Sequence, residues 1–132
     1  VFSNFWPGSG ADSDFPVKAF LYDDPNQLFR IATSNVVSAA NTEAEIRAAV
    51  FANIAFATGN SGSTSTGLSS ATADLNTIAT TNTLALRIMG ILDDPANNDF
   101  TSAGIPLIVR INNHFNAPTG SIAAGTVSTT GV

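Results

Sequence analysis

The chain has 132 residues, and only 11% of them are charged, against about 25% in an average soluble domain. Small neutral residues fill the deficit: 20 Ala, 15 Thr, 13 Ser and 13 Asn. A net charge of −5 excludes a basic nucleic-acid groove, a hydrophobic content of 44% excludes full disorder, and the lack of Cys excludes a disulfide scaffold or a Cys-ligated metal centre.

The first 14 residues read as an N-terminal arm. Phe2, Phe5 and Trp6 sit among Pro7, Gly8 and Gly10, which break regular structure. Those aromatics need burial, against this domain or a neighbour. Residues 15–22, FPVKAFLY, alternate and predict a strand. Asp23-Asp24-Pro25-Asn26 predicts a turn, with Asp and Pro in their favoured places. A second strand, LFRIAT at 28–33, then makes 15–33 a predicted hairpin. Residues 34–41 read as a loop or short edge strand around Val36 and Val37.

Thr42 and Glu45 have capping-box spacing, and Ile46, Ala49 and Val50 fall on one helical face, so a short helix is predicted at 42–51. ANIAFAT at 52–58 alternates like a strand. The run 59–73 is low in complexity and polar, and predicts a long loop whose far end Leu75 and Ile78 anchor. TLALRIMGIL at 83–92 is the clearest strand, ended by a second Asp-Asp-Pro at 93–95. A loop at 96–104 leads to the strand IPLIVRI at 105–111. Residues 117–132 are uncharged and read as an extended tail.

With no βαβ rhythm, this pattern predicts a mainly β fold. The expected architecture is a small antiparallel β-barrel or β-sandwich over 15–116, with one short helix and extended terminal arms. No run approaches the ~20 apolar residues of a membrane span, and the first residues show no secretory leader.

Few residues offer chemistry. His114 is the one His and so the one candidate base for a nucleophilic triad. It lies in NNHFN at a strand end, and no G-x-S-x-G elbow accompanies it; a strand-end hydrogen bond or an interface contact is the simpler reading. Asp23–Asp24 and Asp93–Asp94 resemble a glycosidase carboxylate pair or a calcium cluster in composition only, because turn formation accounts for both. The glycines at 59, 62 and 67 lack the Gly-Lys-Ser/Thr of a phosphate loop. Arg30, Arg87 and Arg110 each sit inside a predicted strand, where they either pair with an acid or lie on a solvated face. Trp6 and Tyr22 are the candidates for a sugar-stacking platform. The reading is of a non-enzyme without cofactor or metal.

Three segments carry a resemblance: FPVKAFLYDDPNQLFRIAT, the stretch from GNSGSTSTG to GILDDPANNDF, and IPLIVRINNHFN. A strand ending at Asp24-Pro25, a short strand from Leu28 to Ile31, a strand from Leu84 to Ile91 running into an acidic turn, and a closing Ile108 to His114 resemble small capsid cement and decoration proteins of tailed bacteriophages. The resemblance spans about 15–116, a pattern of strands and turns rather than a catalytic signature. The capping-box segment 42–51 departs from it, and the aromatic arm has no counterpart.

The resemblance implies a structural virion protein, made in the host cytoplasm, that binds the outer capsid surface and stabilises the major capsid protein lattice. A homotrimer is expected, with no nucleic-acid or membrane partner. The expected capsid or subunit contacts are Phe2, Phe5, Trp6, Arg30, Arg87, Arg110 and His114. The alternative is a secreted or surface-displayed β-module that binds carbohydrate through Trp6 or Tyr22; a hydrolase using His114 or the Asp pairs is a third.

Overall fold

A computed structural model describes residues 5, 14, 17–35, 40–96, 98–114, 116, 120–121 and 126–127. It is mainly β. Strands β1 (Leu28–Ala32), β2 (Asn53–Phe56), β3 (Ala73–Ala79), β4 (Leu86–Ile91) and β5 (Pro106–Ile111) form one sheet in the order β1-β5-β4-β2-β3, with every neighbouring pair antiparallel. The helix α1 (Glu43–Ala48) lies between β1 and β2 in the chain. Two-residue strands β6 (Gly120–Ser121) and β7 (Thr126–Val127) pair with each other.

The two outer strands of the sheet also meet. Thr33, just past β1, forms a parallel bridge to Ala73 at the start of β3. The Ser34 amide donates to the Ala73 carbonyl at 2.9 Å. The Asn35 side chain extends this seam, accepting from the Leu75 amide at 3.1 Å and donating to Asp74 Oδ1 at 2.9 Å. The sheet therefore curls until its edges touch, as in a small barrel.

One face of each strand fills the interior. Ile31, Ile54, Leu75, Leu86, Ile88, Leu107 and Val109 are buried, and Ile46 of α1 and Ile105 join them. Each fully buried aliphatic side chain contributes about 1.5–3 kcal/mol of transfer free energy, and that burial sets the strand register. Shifting a strand by one residue would turn its Ile or Leu to water.

Both Asp-Asp-Pro segments are turns, for the reason expected of Asp. Asp24 Oδ1 accepts from the Asn26 amide at 2.8 Å and Asp24 O from the Gln27 amide at 3.0 Å. Asp94 Oδ1 accepts from the Ala96 amide at 3.1 Å. The capping box at Thr42 and Glu45 forms as predicted.

Four expectations need correction. No strand forms over 17–22, and the 15–33 hairpin is not made; β1 pairs with β5 instead. Phe15 and Pro16 lie outside the described residues. The segment's apolar side chains alternate correctly, but among the described residues nothing pairs with its backbone as a ladder. The helix stops at Ala48 rather than 51, because the chain turns there and the Phe51 amide donates to the Ile88 carbonyl at 2.8 Å, prolonging the β2–β4 ladder. The predicted loop 59–73 ends in a strand, since β3 begins at Ala73. Leu75 and Ile78, read as loop anchors, belong to that strand. Val36 and Val37 lie outside the described residues.

Candidate functional site

The sequence candidates fall into three places. Phe2 and Trp6 lie outside the described residues, and Phe5 is exposed. The remaining four sit on β1, β4 and β5 or just beyond the end of β5.

Arg30 and His114 each hold an acidic turn. Arg30 leaves the sheet from β1, and its Nη2 reaches Asp94 Oδ2 at 3.3 Å. This ties β1 to the turn that follows β4. The pair is solvent-exposed, so it contributes at most about 1 kcal/mol. His114 follows β5. Its Nδ1 accepts the Asn116 amide at 3.1 Å, so in the neutral ring Nε2 carries the proton. Nε2 faces Asp23 Oδ1 at 3.7 Å. Asn116 Nδ2 donates to both Asp23 carboxylate oxygens at 3.0 Å. Asp23, His114 and Asn116 together fasten the base of the segment 17–24 to the end of β5.

That segment is the most exposed apolar part of the described chain. Phe20, Leu21 and Tyr22 are 85%, 83% and 80% accessible, and Val17 is about half exposed. Its backbone runs without regular structure from residue 17 to residue 24. Single exposed apolar residues are ordinary, whereas adjoining exposed apolar side chains are uncommon on a soluble chain. Sequence reasoning assigned all three to a strand and singled out Tyr22 alone as a candidate contact.

Arg87 and Arg110 stand directly opposite each other on β4 and β5. Arg87 also stands opposite Asn53 of β2. Leu86, Ile88 and Val109 face the core, so alternation sends Arg87 and Arg110 to the outer face. Asn53 precedes core-facing Ile54 and shares that outer face, yet it is only 4% exposed. Asn53 carried no signal in the sequence, because its importance comes from cross-strand register.

Carboxylates of both Asp pairs have structural partners. Asp23 and Asp94 are engaged with His114, Asn116 and Arg30, and Asp24 closes its own turn. Among the described residues no group of three or more His, Asp or Glu side chains is placed to hold a metal ion. No helix of the described residues is long and apolar enough to cross a membrane.

Two carboxyl groups are held below their ordinary acidity range. The Thr42 hydroxyl, followed by the Asn41 and Thr42 amides, lowers the Glu45 pKa. The Ser102 and Thr101 hydroxyls, with the Thr101 amide, lower that of Asp99. Both groups organise local turns and neither lies beside the other candidates.

Comparison with protein-family models, curated proteins and solved structures finds no match for this chain.

Proposed function

We propose that the chain is a structural protein of a tailed-phage virion that binds the outside of the capsid and reinforces the major capsid protein lattice. The observation that carries this reading is the segment 17–24. It has no regular structure, is apolar and exposed through Phe20, Leu21 and Tyr22, and is fastened at Asp23 to a body with its own hydrophobic core. A closed β body with a projecting apolar segment suits a partner that supplies the missing cover. A segment with no ladder partner of its own among the described residues can add to a neighbour's sheet edge through its main chain while alternate side chains enter pockets. Assembly as a homotrimer multiplies each weak contact. The resemblance of 15–116 to capsid cement and decoration proteins points the same way.

The test is co-sedimentation of the purified chain with phage capsids stripped of their outer proteins. Saturable binding at a fixed ratio to the major capsid protein, and capsids that resist heat better, are the expected results. Absence from purified virions by mass spectrometry sinks the reading. A second reading, carbohydrate binding, is favoured by one feature, the exposure of the Tyr22 ring. Sugar-dependent binding on a glycan array that disappears in Tyr22→Ala would replace the capsid reading.

A further inference from the structure

The expected 15–33 hairpin fails for a reason of phase, and that reason leaves one strand edge open. The Thr33 amide donates to the Ile105 carbonyl at 3.0 Å, in the same register that pairs β1 with β5. In such a ladder alternate residues bond to one side. The amides of Phe29 and Ile31 therefore point to β5, and those of Leu28 and Arg30 point away from it. Ser34, of the same parity as Leu28 and Arg30, points away likewise and reaches Ala73. The turn at 24–27 requires the opposite. Its bond from the Gln27 amide to the Asp24 carbonyl would continue, in a hairpin, as Tyr22 opposite Phe29 and Phe20 opposite Ile31. Those are the amides that β5 already uses. Pro25 adds a second obstacle, since a φ fixed at about −65° bars the primed turns whose twist suits a hairpin. The segment also starts on the wrong side. Asp23 is tied to His114 and Asn116 beyond the end of β5, across β1 from the open edge.

Every copy thus carries both halves of a ladder that it cannot make with itself. One half is the outward edge of β1. Among the described residues no backbone group bonds to that edge over 28–31, and the Gln27 side chain covers only the Leu28 carbonyl, at 2.9 Å. The other half is the segment 17–22, largely apolar, alternating, and without a ladder partner among the described residues.

We propose that the segment 17–22 of one copy pairs antiparallel with the outward edge of β1 in a second copy, Phe20 opposite Arg30 and Tyr22 opposite Leu28. This register uses the outward amides of both β1 residues. It lays Leu21 beside half-buried Phe29 and Ala19 beside buried Ile31, and it keeps Lys18 on the outer face with Phe20 and Tyr22. A slip of one residue would turn Lys18 to the core side. Each copy gives one segment and receives one, so the contact is head to tail, and a threefold rotation closes it into a ring. This contact rests on the exposed segment and the homotrimer of the capsid reading, and it leaves the Phe20 and Tyr22 rings outward for the capsid.

The test uses the full chain without capsids. In sedimentation velocity the natural chain is expected to associate as its concentration rises. Leu28→Pro removes an outward amide at the first residue of β1, a place that tolerates Pro, and is expected to weaken association about tenfold more than Leu28→Ala. Should Leu28→Pro not fold, cross-linking decides. The chain has no Cys, so a Tyr22→Cys chain is mixed with a Leu28→Cys chain in a glutathione redox buffer. A mixed disulfide dimer well above its statistical share is expected, because directly paired residues lie within disulfide reach. Leu21→Cys, whose side chain faces the other way, gives no such excess. A mixed dimer at the statistical share, an equal excess from Leu21→Cys, equal association of Leu28→Ala and folded Leu28→Pro, or a natural chain that stays monomeric overturns the contact. A monomeric chain that still saturates capsids overturns the contact alone, whereas copies that cross-link as expected but leave capsids bare support the contact and overturn the capsid reading.

Discussion

Phe51 has a φ of +74° and a side chain that is 61% exposed. A residue with a Cβ incurs about 1–2 kcal/mol in this left-handed region, and a bulky one there is a genuine outlier. The cause is local. The chain must reverse after α1 so that the Phe51 amide and the Ala52 carbonyl both reach Ile88, at 2.8 and 2.9 Å. Phe51→Gly and Phe51→Val both delete the ring, so its lost packing largely cancels between them. Phe51→Gly is expected to exceed Phe51→Val in stability by about 1 kcal/mol, after allowance for glycine's greater chain entropy. Urea unfolding of the two variants checks this, and equal midpoints would rule out backbone strain at 51.

Glu45 leads to a prediction of a different kind. Its carboxylate accepts from the Thr42 hydroxyl at 2.7 Å and from the Thr42 and Asn41 amides at 3.0 and 3.1 Å, and its pKa in the fold lies below the ordinary 4.5. A depressed folded value means that the unfolded chain takes up the proton first as pH falls. The contribution is therefore complete above the unfolded value and is lost as pH drops below 4.5 through the folded value. The stability difference between the natural chain and Glu45→Gln should be flat from about pH 6 upward and shrink on acidification below the ordinary carboxylate range. Thermal melts across that interval test it; a difference that grows on acidification contradicts the capping role.

At the scale of elements, legibility followed the sidedness of each segment. β4 and β5 were plain in the sequence because Leu86, Ile88, Leu107 and Val109 alternate with half-exposed residues. The helix start was legible from Thr42 and Glu45, whereas its end depended on a hydrogen bond to Ile88, more than 30 residues away. β3 was hidden because Leu75 and Ile78 are its only large apolar residues and because it follows a polar loop. The segment 17–22 misled for the opposite reason. It alternates like a strand, but alternation records which faces are apolar and says nothing about a pairing partner. An acid partner for a strand Arg and a strand-end contact for His114 were among the readings, but that Arg30 meets Asp94 and His114 meets Asp23 was not legible, since residue type does not encode register.

The seam between β1 and β3 was invisible too, and it rests on side chains as much as on backbone. Asn35 supplies the acceptor for the Leu75 amide, and Leu75 is a core residue. Removing that acceptor leaves a part-buried N–H unpaired at a cost of about 1–3 kcal/mol. Asn35→Ala is therefore expected to destabilise the chain by that amount. Its hydrogen-exchange signature should be specific: faster exchange at Leu75, with the central-strand amide of Ile88 still tied to global unfolding. Uniform loss of protection across the sheet would mean that the seam and the body open as one unit.

For the whole molecule, the distribution of apolar surface matters more than its amount. The body buries its aliphatic residues and closes its sheet, while Phe20, Leu21 and Tyr22 remain in water. A chain with a net charge of −5 and few charged residues has little electrostatic repulsion with which to guard such a patch. If the segment served only the fold, replacing these three residues with polar ones would weaken the fold. If it serves a partner, the fold should not notice. Because the three side chains are at least 80% exposed, the combined variant Phe20→Ser, Leu21→Ser, Tyr22→Ser is expected to unfold within about 0.5 kcal/mol of the natural chain. The same variant should lose self-association in light scattering and lose occupancy on capsids in co-sedimentation. Three copies of the segment acting together would make the loss of occupancy steeper than the loss of any single contact. A variant that still fills the capsid at the natural ratio would leave the segment without a role in assembly. One that fails to fold would assign the segment to the body, with the cover for these residues supplied from within the chain.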